Sequence, residues 1–199
     1  ASDGSGYVAV GYIGLGGVIF SSPDFQNWTN TTPADQKDLY AVEYTGTKYI
    51  AAGNRSVLES NDGGMSWTSI STPSNVITGL AWGDSRLVAA GYDPSTWEGK
   101  LTYSADGISW TTAVTDDNYY FRVKYLDGEF LALGYSNITY EGVVMHSADG
   151  ISWSNITPNE GFQVYYYHDA VYENGKFHLM GVEYDDYDLF TLKGFFSLS

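Results

Sequence analysis

The sequence predicts an all-β fold assembled from repeated small sheets, and three observations lead to it. The turn sequence Ser-Ala-Asp-Gly-Ile-Ser-Trp occurs twice, at 104–110 and 147–153, and a related version one residue longer spans 60–67. Trp28, Trp67, Trp110 and Trp153 are 39, 43 and 43 residues apart. An apolar strand ending in glycine recurs five times, at 7–11, 49–53, 87–91, 130–134 and 177–181. Because repeats of about 40 residues are typical of four-stranded propeller blades, we predict a five-bladed β-propeller.

Each blade is predicted to contain four antiparallel strands in sequence order, the first lining a central channel and the fourth outermost. First strands are expected at 39–44, 77–82, 121–125 and 169–173, each joined by a short turn to a glycine-ended second strand. Third strands are expected at 18–21, 57–60, 101–104, 143–147 and 189–192, and a tryptophan precedes each of the first four outer strands. One domain over 1–199 follows, with repeats at roughly 5–32, 38–72, 76–114, 120–157 and 166–199.

The first repeat begins at a second strand, so its blade is predicted to be incomplete at the N-terminus. The segment 194–199 is expected to form either the outer strand of the last blade or the missing first strand of the first blade. An unpaired strand edge also invites pairing with another chain. A neighbouring subunit is therefore the alternative way to complete this blade.

The repeated turn has a structural explanation. An aspartate carboxylate accepts hydrogen bonds from backbone N–H groups a few residues further on, and Gly63, Gly107 and Gly150 supply the positive φ that the turn needs. The tryptophan that follows is expected to bury its ring between adjacent blades and to donate its indole N–H to a backbone carbonyl. We therefore assign a structural role to Asp24, Trp28, Asp62, Trp67, Asp106, Trp110, Asp149 and Trp153.

These turns resemble the Asp-box, or bacterial neuraminidase repeat. Its pattern, Ser-x-Asp-x-Gly-x-Thr-Trp, is matched by Ser60, Asp62, Gly64, Ser66 and Trp67. The copies at 104–110 and 147–153 are one residue shorter, and the copy at 22–28 lacks the glycine. The resemblance spans most of the chain and implies a propeller whose boxes lie away from the ligand face.

The best-known enzymes of that family are sialidases, and the sequence departs from them. They are similar to one another in having six blades and three arginines that grip the substrate carboxylate. Here Arg55, Arg86 and Arg122 are predicted on three different elements, so we do not expect them to converge. The chain is also short for six blades with insertions.

Composition excludes several classes of partner. Nine Lys and Arg against 24 Asp and Glu give a formal net charge of -15, which repels nucleic acid and anionic lipid surfaces. There is no cysteine, so disulfides and thiolate metal sites are excluded. No apolar run is long enough for a transmembrane helix, so membrane insertion is not expected.

The loops between second and third strands carry the strongest ligand-site signal. Tyr92, Trp97, Tyr135, Tyr140 and Tyr184 fall there, beside carboxylates and amides. Sugar sites combine such groups, because rings stack on C–H faces while polar groups bind hydroxyls. The alternative is that these aromatic residues are β-formers that cover strand ends.

Two further patterns concern the surface. Five of the ten asparagines begin an Asn-x-Ser/Thr sequon, at Asn27, Asn30, Asn54, Asn137 and Asn155, which predicts an extracellular glycoprotein where the source glycosylates asparagine. Asp185, Asp186 and Asp188 cluster in one loop, but the ligand spacing of a Ca²⁺ loop is missing, so a solvated acidic loop is favoured. His146, His168 and His178 lack paired zinc spacing.

The sequence therefore predicts an extracellular, noncatalytic propeller without a cofactor, which binds carbohydrate through its aromatic loops. The alternative is a structural subunit of an extracellular filament or surface layer, assembled by strand exchange at the incomplete first blade. Its partners are accordingly glycans or other copies of the same chain. A glycoside hydrolase would instead need two carboxylates facing each other in a pocket at the channel mouth.

Overall fold

The repeats fold as five antiparallel sheets, each a meander of strands that follow one another in sequence. The computed structural model describes residues 1–14, 16–71, 74–159, 164–185 and 188–198, with side chains described as far as Val182. The predicted all-β class is confirmed. In this part of the chain there is no helix of the length and apolarity needed to cross a membrane.

The first three sheets contain the strands as follows. Sheet 1 consists of β1 (Tyr7–Ile13), β2 (Gly16–Ser22) and β3 (Thr29–Asn30). Sheet 2 consists of β4 (Leu39–Tyr44), β5 (Tyr49–Gly53), β6 (Val57–Ser60) and β7 (Thr68–Ser71). Sheet 3 consists of β8 (Val76–Gly83), β9 (Arg86–Tyr92), β10 (Gly99–Ser104) and β11 (Thr111–Asp116).

The last two sheets complete the described fold. Sheet 4 consists of β12 (Asn118–Leu126), β13 (Glu129–Ser136), β14 (Gly142–Ser147) and β15 (Ser154–Asn155). Sheet 5 consists of β16 (Val164–Glu173), β17 (Lys176–Asp185) and β18 (Asp188–Leu198). The expectation that 194–199 forms a separate outer or first strand is wrong, because pairing with β17 continues along β18 until Leu198 lies opposite Phe177.

Neighbouring sheets pack face to face, with their first strands side by side. β4 contacts β1 and β8, and β12 contacts β8 and β16. Each of the four interfaces between consecutive sheets has its own apolar core; between sheets 2 and 3, for example, Ile50 and Val57 pack with Leu80. No comparable packing joins sheet 1 to sheet 5 among the described strands.

The Asp-containing turns dock sheets 2, 3 and 4 onto the sheet before each of them. Within the turn, Asp106 Oδ1 accepts hydrogen bonds from the backbone N–H groups of Ile108 and Ser109, both at 2.8 Å. The Trp110 indole N–H donates to Gly107 O at 3.0 Å, while its ring packs against the core shared with sheet 2. The turn is also held from sheet 2, because Lys48 Nζ donates to Asp106 O at 3.1 Å.

The same docking recurs at the neighbouring interfaces. Ser21 Oγ in sheet 1 donates to Gly64 O in the turn of sheet 2 at 2.6 Å, and Arg86 in sheet 3 donates to Asp149 O in the turn of sheet 4. Hydrogen bonds from the turn's backbone and side chains hold the carboxylates in their charged form. They lower the pKa of Asp62 to about 2.

The glycines that end the second strands allow a close backbone approach. In β8, β12 and β4 the pairing register shifts next to this glycine, which marks a β-bulge in each first strand. A Cβ on Gly91 would overlap Val76 O, and one on Gly134 would overlap Tyr119 O. The recurring glycine therefore permits the bulge, and bulges redirect side chains.

Trp28 differs from the tryptophans of the other three aspartate turns. Trp67, Trp110 and Trp153 pack against inter-sheet cores, whereas Trp28 is 38% exposed because no described sheet packs on that face of sheet 1.

We predict that Trp110→Ala lowers the free energy of unfolding by about 3–5 kcal/mol. Trp28→Ala, the matched control, should lower it by about 1 kcal/mol. Urea denaturation measures both, and equal losses would contradict the docking role of Trp110.

Candidate functional site

The bulges in the first strands all lie at one end of the molecule. At each bulge one residue has no partner in the register, namely Tyr40 in β4, Thr78 in β8 and Phe121 in β12. These residues lie where the first strands begin, at the opposite end from the Asp-containing turns. We call this end the mouth of the channel that the first strands line.

Aromatic rings form a continuous belt at the mouth across sheets 3, 4 and 5. Trp97 stacks on Tyr92 with centroids 5.3 Å apart and planes at 6°, and Tyr92 contacts Tyr119 at 4.7 Å. Tyr119 stacks on Tyr135 at 5.7 Å, and Tyr135 stacks on Tyr165 at 6.0 Å. The aromatic belt comprises these residues and two further rings that contact each other, Phe121 and Tyr166.

The belt is a packed structure with few free ring faces. Burial, reinforced by the neighbouring tyrosine hydroxyls, raises the pKa of Tyr119 well above its ordinary value. Rings stacked in a row cover each other's faces, so the end of the row is where a ligand can stack. Trp97 occupies that end, with 59% of its surface exposed and its inner face against Tyr92.

Trp97 is held by its backbone as well as by its ring. It adopts φ 63°, a left-handed conformation that L-residues visit at an energetic cost. Its N–H donates to Asp93 O at 2.7 Å, and its carbonyl accepts a hydrogen bond from Asn137 Nδ2 at 3.1 Å. The indole is therefore fixed in position before any ligand arrives.

Below the mouth, the first strands of sheets 2, 3 and 4 line a cavity of about 350 Å³. Arg122 and Lys124 line it on the β12 side, and both pair with Asp169 of β16, at 3.8 and 2.7 Å. Although burial opposes ionisation, the hydrogen bond from Lys124 and the nearby positive charges hold the pKa of Asp169 below its usual value. This network ties sheet 4 to sheet 5.

Glu43 lines the same cavity from β4. Burial of its carboxyl raises the pKa of Glu43 to about 7. The cavity therefore contains one acid that holds its proton near neutrality and, across the cavity wall, the ionised Asp169. Such a contrast is common in acid–base sites, but a catalytic pair also requires opposed geometry around a substrate.

The structure brings together three of the five predicted ligand residues. Tyr92, Trp97 and Tyr135 belong to the belt, and Tyr140 is exposed on the next loop. The backbone of Tyr184 lies in β17, but its side chain is outside the described residues. Asp186 and the side chains of Asp185 and Asp188 also fall outside them.

Sequence reasoning missed the belt residues supplied by first strands. The predicted first strands began at Phe121 and at Asp169, whereas β12 and β16 begin earlier and include Tyr119, Tyr165 and Tyr166. The signal that could have found them is the glycine ending each second strand, because it marks the bulge on the opposing strand.

The three arginines have separate partners: Arg55 binds Ser74 O, Arg86 binds Asp149 O, and Arg122 pairs with Asp169.

The sequons are distributed over both ends of the molecule. Asn137 lies at the mouth, and Asn27 bonds Asp24 within the first turn. In the sequons of Asn30 and Asn155, the threonine hydroxyl accepts a hydrogen bond from the third strand, Thr32 from Ile19 N and Thr157 from Val144 N. These threonines therefore have a structural use that is independent of glycosylation. Asn54 is partly buried, and its N–H donates to Asp38 O.

No family model matches the chain, and no curated protein matches it in sequence. Solved structures match it in fold. A GH74 xyloglucanase from Xanthomonas campestris aligns with 79% of this chain at 15% identity and a TM-score of 0.58, and an ancestral GH74 enzyme aligns with 92% at 17% identity and 0.63. The WD40 β-propeller domain of Doa1 aligns with 91% at 14% identity and 0.61.

These likenesses show a β-propeller fold. The aligned region covers 29% and 28% of the two GH74 chains and 60% of the Doa1 domain. The expectation that this chain is noncatalytic is wrong as an inference from its scaffold, because two GH74 glycoside hydrolases share that scaffold. At such low identity the comparison shows the fold alone and transfers no catalytic residue.

The buried carboxyl of Glu43 predicts a measurable pH dependence of stability. Its folded pKa of about 7 exceeds the ordinary 4.5, so between these pH values the folded protein binds more protons than the unfolded one. Stability should therefore fall as pH rises through this window. Glu43→Gln should match wild type near pH 4 and exceed it at pH 8 by about 1–3 kcal/mol. Urea denaturation from pH 4 to 8 tests this, and a difference that does not change with pH would contradict it.

Proposed function

We propose that this chain binds carbohydrate at the channel mouth, with Trp97 as the stacking platform. The observation that carries the proposal is the exposed outer face of an indole whose ring and backbone are both fixed. A strained backbone conformation costs free energy, and such strain is found most often at functional sites. Preorganisation favours binding, because less conformational freedom is lost when a ligand arrives.

Polar groups surround the platform in the manner that sugar hydroxyls require. Asp93, Thr96 and Glu98 belong to the same loop as Trp97, and Thr96 Oγ1 donates to Glu98 Oε2 at 2.9 Å. Asn137 approaches from the next sheet. Carboxylates accept hydrogen bonds from hydroxyls, while a net charge of -15 disfavours polyanionic ligands. The favoured partner is therefore a neutral glycan.

The proposal also covers the architecture of the scaffold. We interpret the five sheets as propeller blades and the four aspartate turns as Asp-boxes. The boxes hold the blades together at the end opposite the mouth, which leaves the mouth free for recognition. An extracellular location fits a glycan ligand and the four sequons other than that of Asn137, whose side-chain nitrogen holds Trp97.

The test is titration calorimetry with cello-, xylo-, manno- and chito-hexaose. We expect at least one series to bind and Trp97→Ala to weaken that binding at least about 30-fold, because truncating a central aromatic anchor costs about 2 kcal/mol or more. Phe25→Ala is the matched control, since Phe25 is 65% exposed but lies at the opposite end. Reducing-end release measured in the same samples reports hydrolysis. Absence of binding in all four series would refute the proposal.

A second candidate function, self-association, is favoured by the outer face of sheet 1. Tyr7, Phe25 and Trp28 form an edge-to-face aromatic cluster there, with centroids 5.1 and 5.6 Å apart, and all three are exposed. At the corresponding place in sheets 2, 3 and 4 the tryptophan packs on a preceding sheet. On the edge of β1 opposite β2, the described pairing is with Ala1 and Ser2. We propose that a second copy of the chain covers this face.

Sedimentation equilibrium over a range of protein concentrations tests this second candidate. We expect a concentration-dependent increase in mass that Phe25→Ser abolishes, because a polar residue at the centre of the cluster removes apolar area from the contact. Trp97→Ser, the control at the mouth, should associate as wild type does. A monomer at every concentration would rule out self-association without affecting the glycan proposal.

A further inference from the structure

The loops that present Trp97 and Tyr140 are two copies of one structure on neighbouring sheets. Residues 91–99 and 134–142 share the sequence Gly-Tyr, an intervening segment of equal length, an aromatic residue and Glu-Gly. The N–H of Asp93 donates to Glu98 O, and that of Ser136 donates to Glu141 O, both at 2.8 Å. Trp97 and Tyr140 therefore occupy equivalent positions.

The equivalence extends to conformation and exposure. Trp97 has φ 63° and Tyr140 has φ 57°, and their exposed fractions are 59% and 57%. Each N–H donates back across the loop, Trp97 to Asp93 O at 2.7 Å and Tyr140 to Ser136 O at 2.9 Å. A left-handed aromatic residue is uncommon. The two loops therefore present their aromatic rings in the same way.

The two loops also touch each other. Asn137, in the second loop, donates its side-chain N–H to the carbonyl of Trp97 in the first, at 3.1 Å. Packed sheets lie about 10 Å apart, which is more than a single sugar ring covers. We therefore expect a ligand that contacts both aromatic residues to contain several linked rings.

We propose that Trp97 and Tyr140 are two subsites of one elongated site whose ligand is a linear oligosaccharide long enough to reach both. This inference rests on the proposed function and adds the ligand's shape. Once one ring of the chain is stacked on Trp97, contact with Tyr140 is intramolecular, so affinity rises with chain length until both subsites are filled. A disaccharide fills only one of them.

The experiment compares cellobiose, cellotetraose and cellohexaose by calorimetry, together with the di-, tetra- and hexasaccharides of the xylo-, manno- and chito-series. For the series that binds, we expect the hexasaccharide to bind wild type at least about tenfold more tightly than the disaccharide. Tyr140→Ala should abolish this gain, so that the hexasaccharide binds no more tightly than the disaccharide. Trp97→Ala should weaken both. Ile138→Ala is the control, because Ile138 is 68% exposed in the same loop but has no ring.

The conservative variant Tyr140→Phe keeps the ring and should retain the gain, which separates stacking from any effect on loop folding. Thermal unfolding of each variant verifies that the fold is intact. Equal affinity for disaccharide and hexasaccharide in wild type, or a full gain in Tyr140→Ala, would overturn the two-subsite inference while Trp97-dependent binding still supported the proposed function. If no saccharide of any length binds, both proposals fail together.

Discussion

The docking of the aspartate turns of sheets 2, 3 and 4 onto the preceding sheet is the interaction on which the rest of the structure depends. Small sheets of three or four strands bury too little apolar surface to be stable alone, so each must be fixed against its neighbour. In the turn of sheet 3, the Asp106 carboxylate closes the turn and the Trp110 indole packs in the core shared with sheet 2. Lys48 of sheet 2 donates a hydrogen bond to the carbonyl of Asp106. Once this end is fixed, the first strands stand side by side and line the channel.

The second constraint is the close backbone approach at Gly53, Gly91 and Gly134, near the ends of the second strands of sheets 2, 3 and 4. It admits a bulge into the opposite first strand, and the bulge turns Tyr40 and Phe121 towards the mouth. The same repeat unit therefore supplies stability at one end and aromatic residues at the other. Because different loops and strand ends serve the two roles, the mouth can vary without disturbing the docked turns.

Much of this was predictable from sequence, since it depends on local patterns repeated at a fixed interval. The turn motif and the glycine-ended strands located the sheets, and loop position located Tyr92, Trp97 and Tyr135. The belt residues Tyr119 and Tyr165 were not predictable in the same way, because they precede the predicted strands and the bulges interrupt the alternation that would have extended those strands to include them. The course of β18 was also missed, since its pairing depends on β17 and not on a local motif.

The asymmetry of the mouth is the reason for placing the proposed ligand site on sheets 3 and 4. The corresponding loop in sheet 2 is short. Its Asn54 backbone N–H donates to Asp38 O, and its Arg55 side chain donates to Ser74 O. In sheets 3 and 4 the corresponding loop is longer, and each of the two loops carries an exposed aromatic residue, Trp97 or Tyr140. Two such loops joined through Asn137 form a rigid surface, and rigidity is what converts exposed apolar area into affinity. A ligand site built from duplicated repeats acquires its length from the spacing of the sheets themselves.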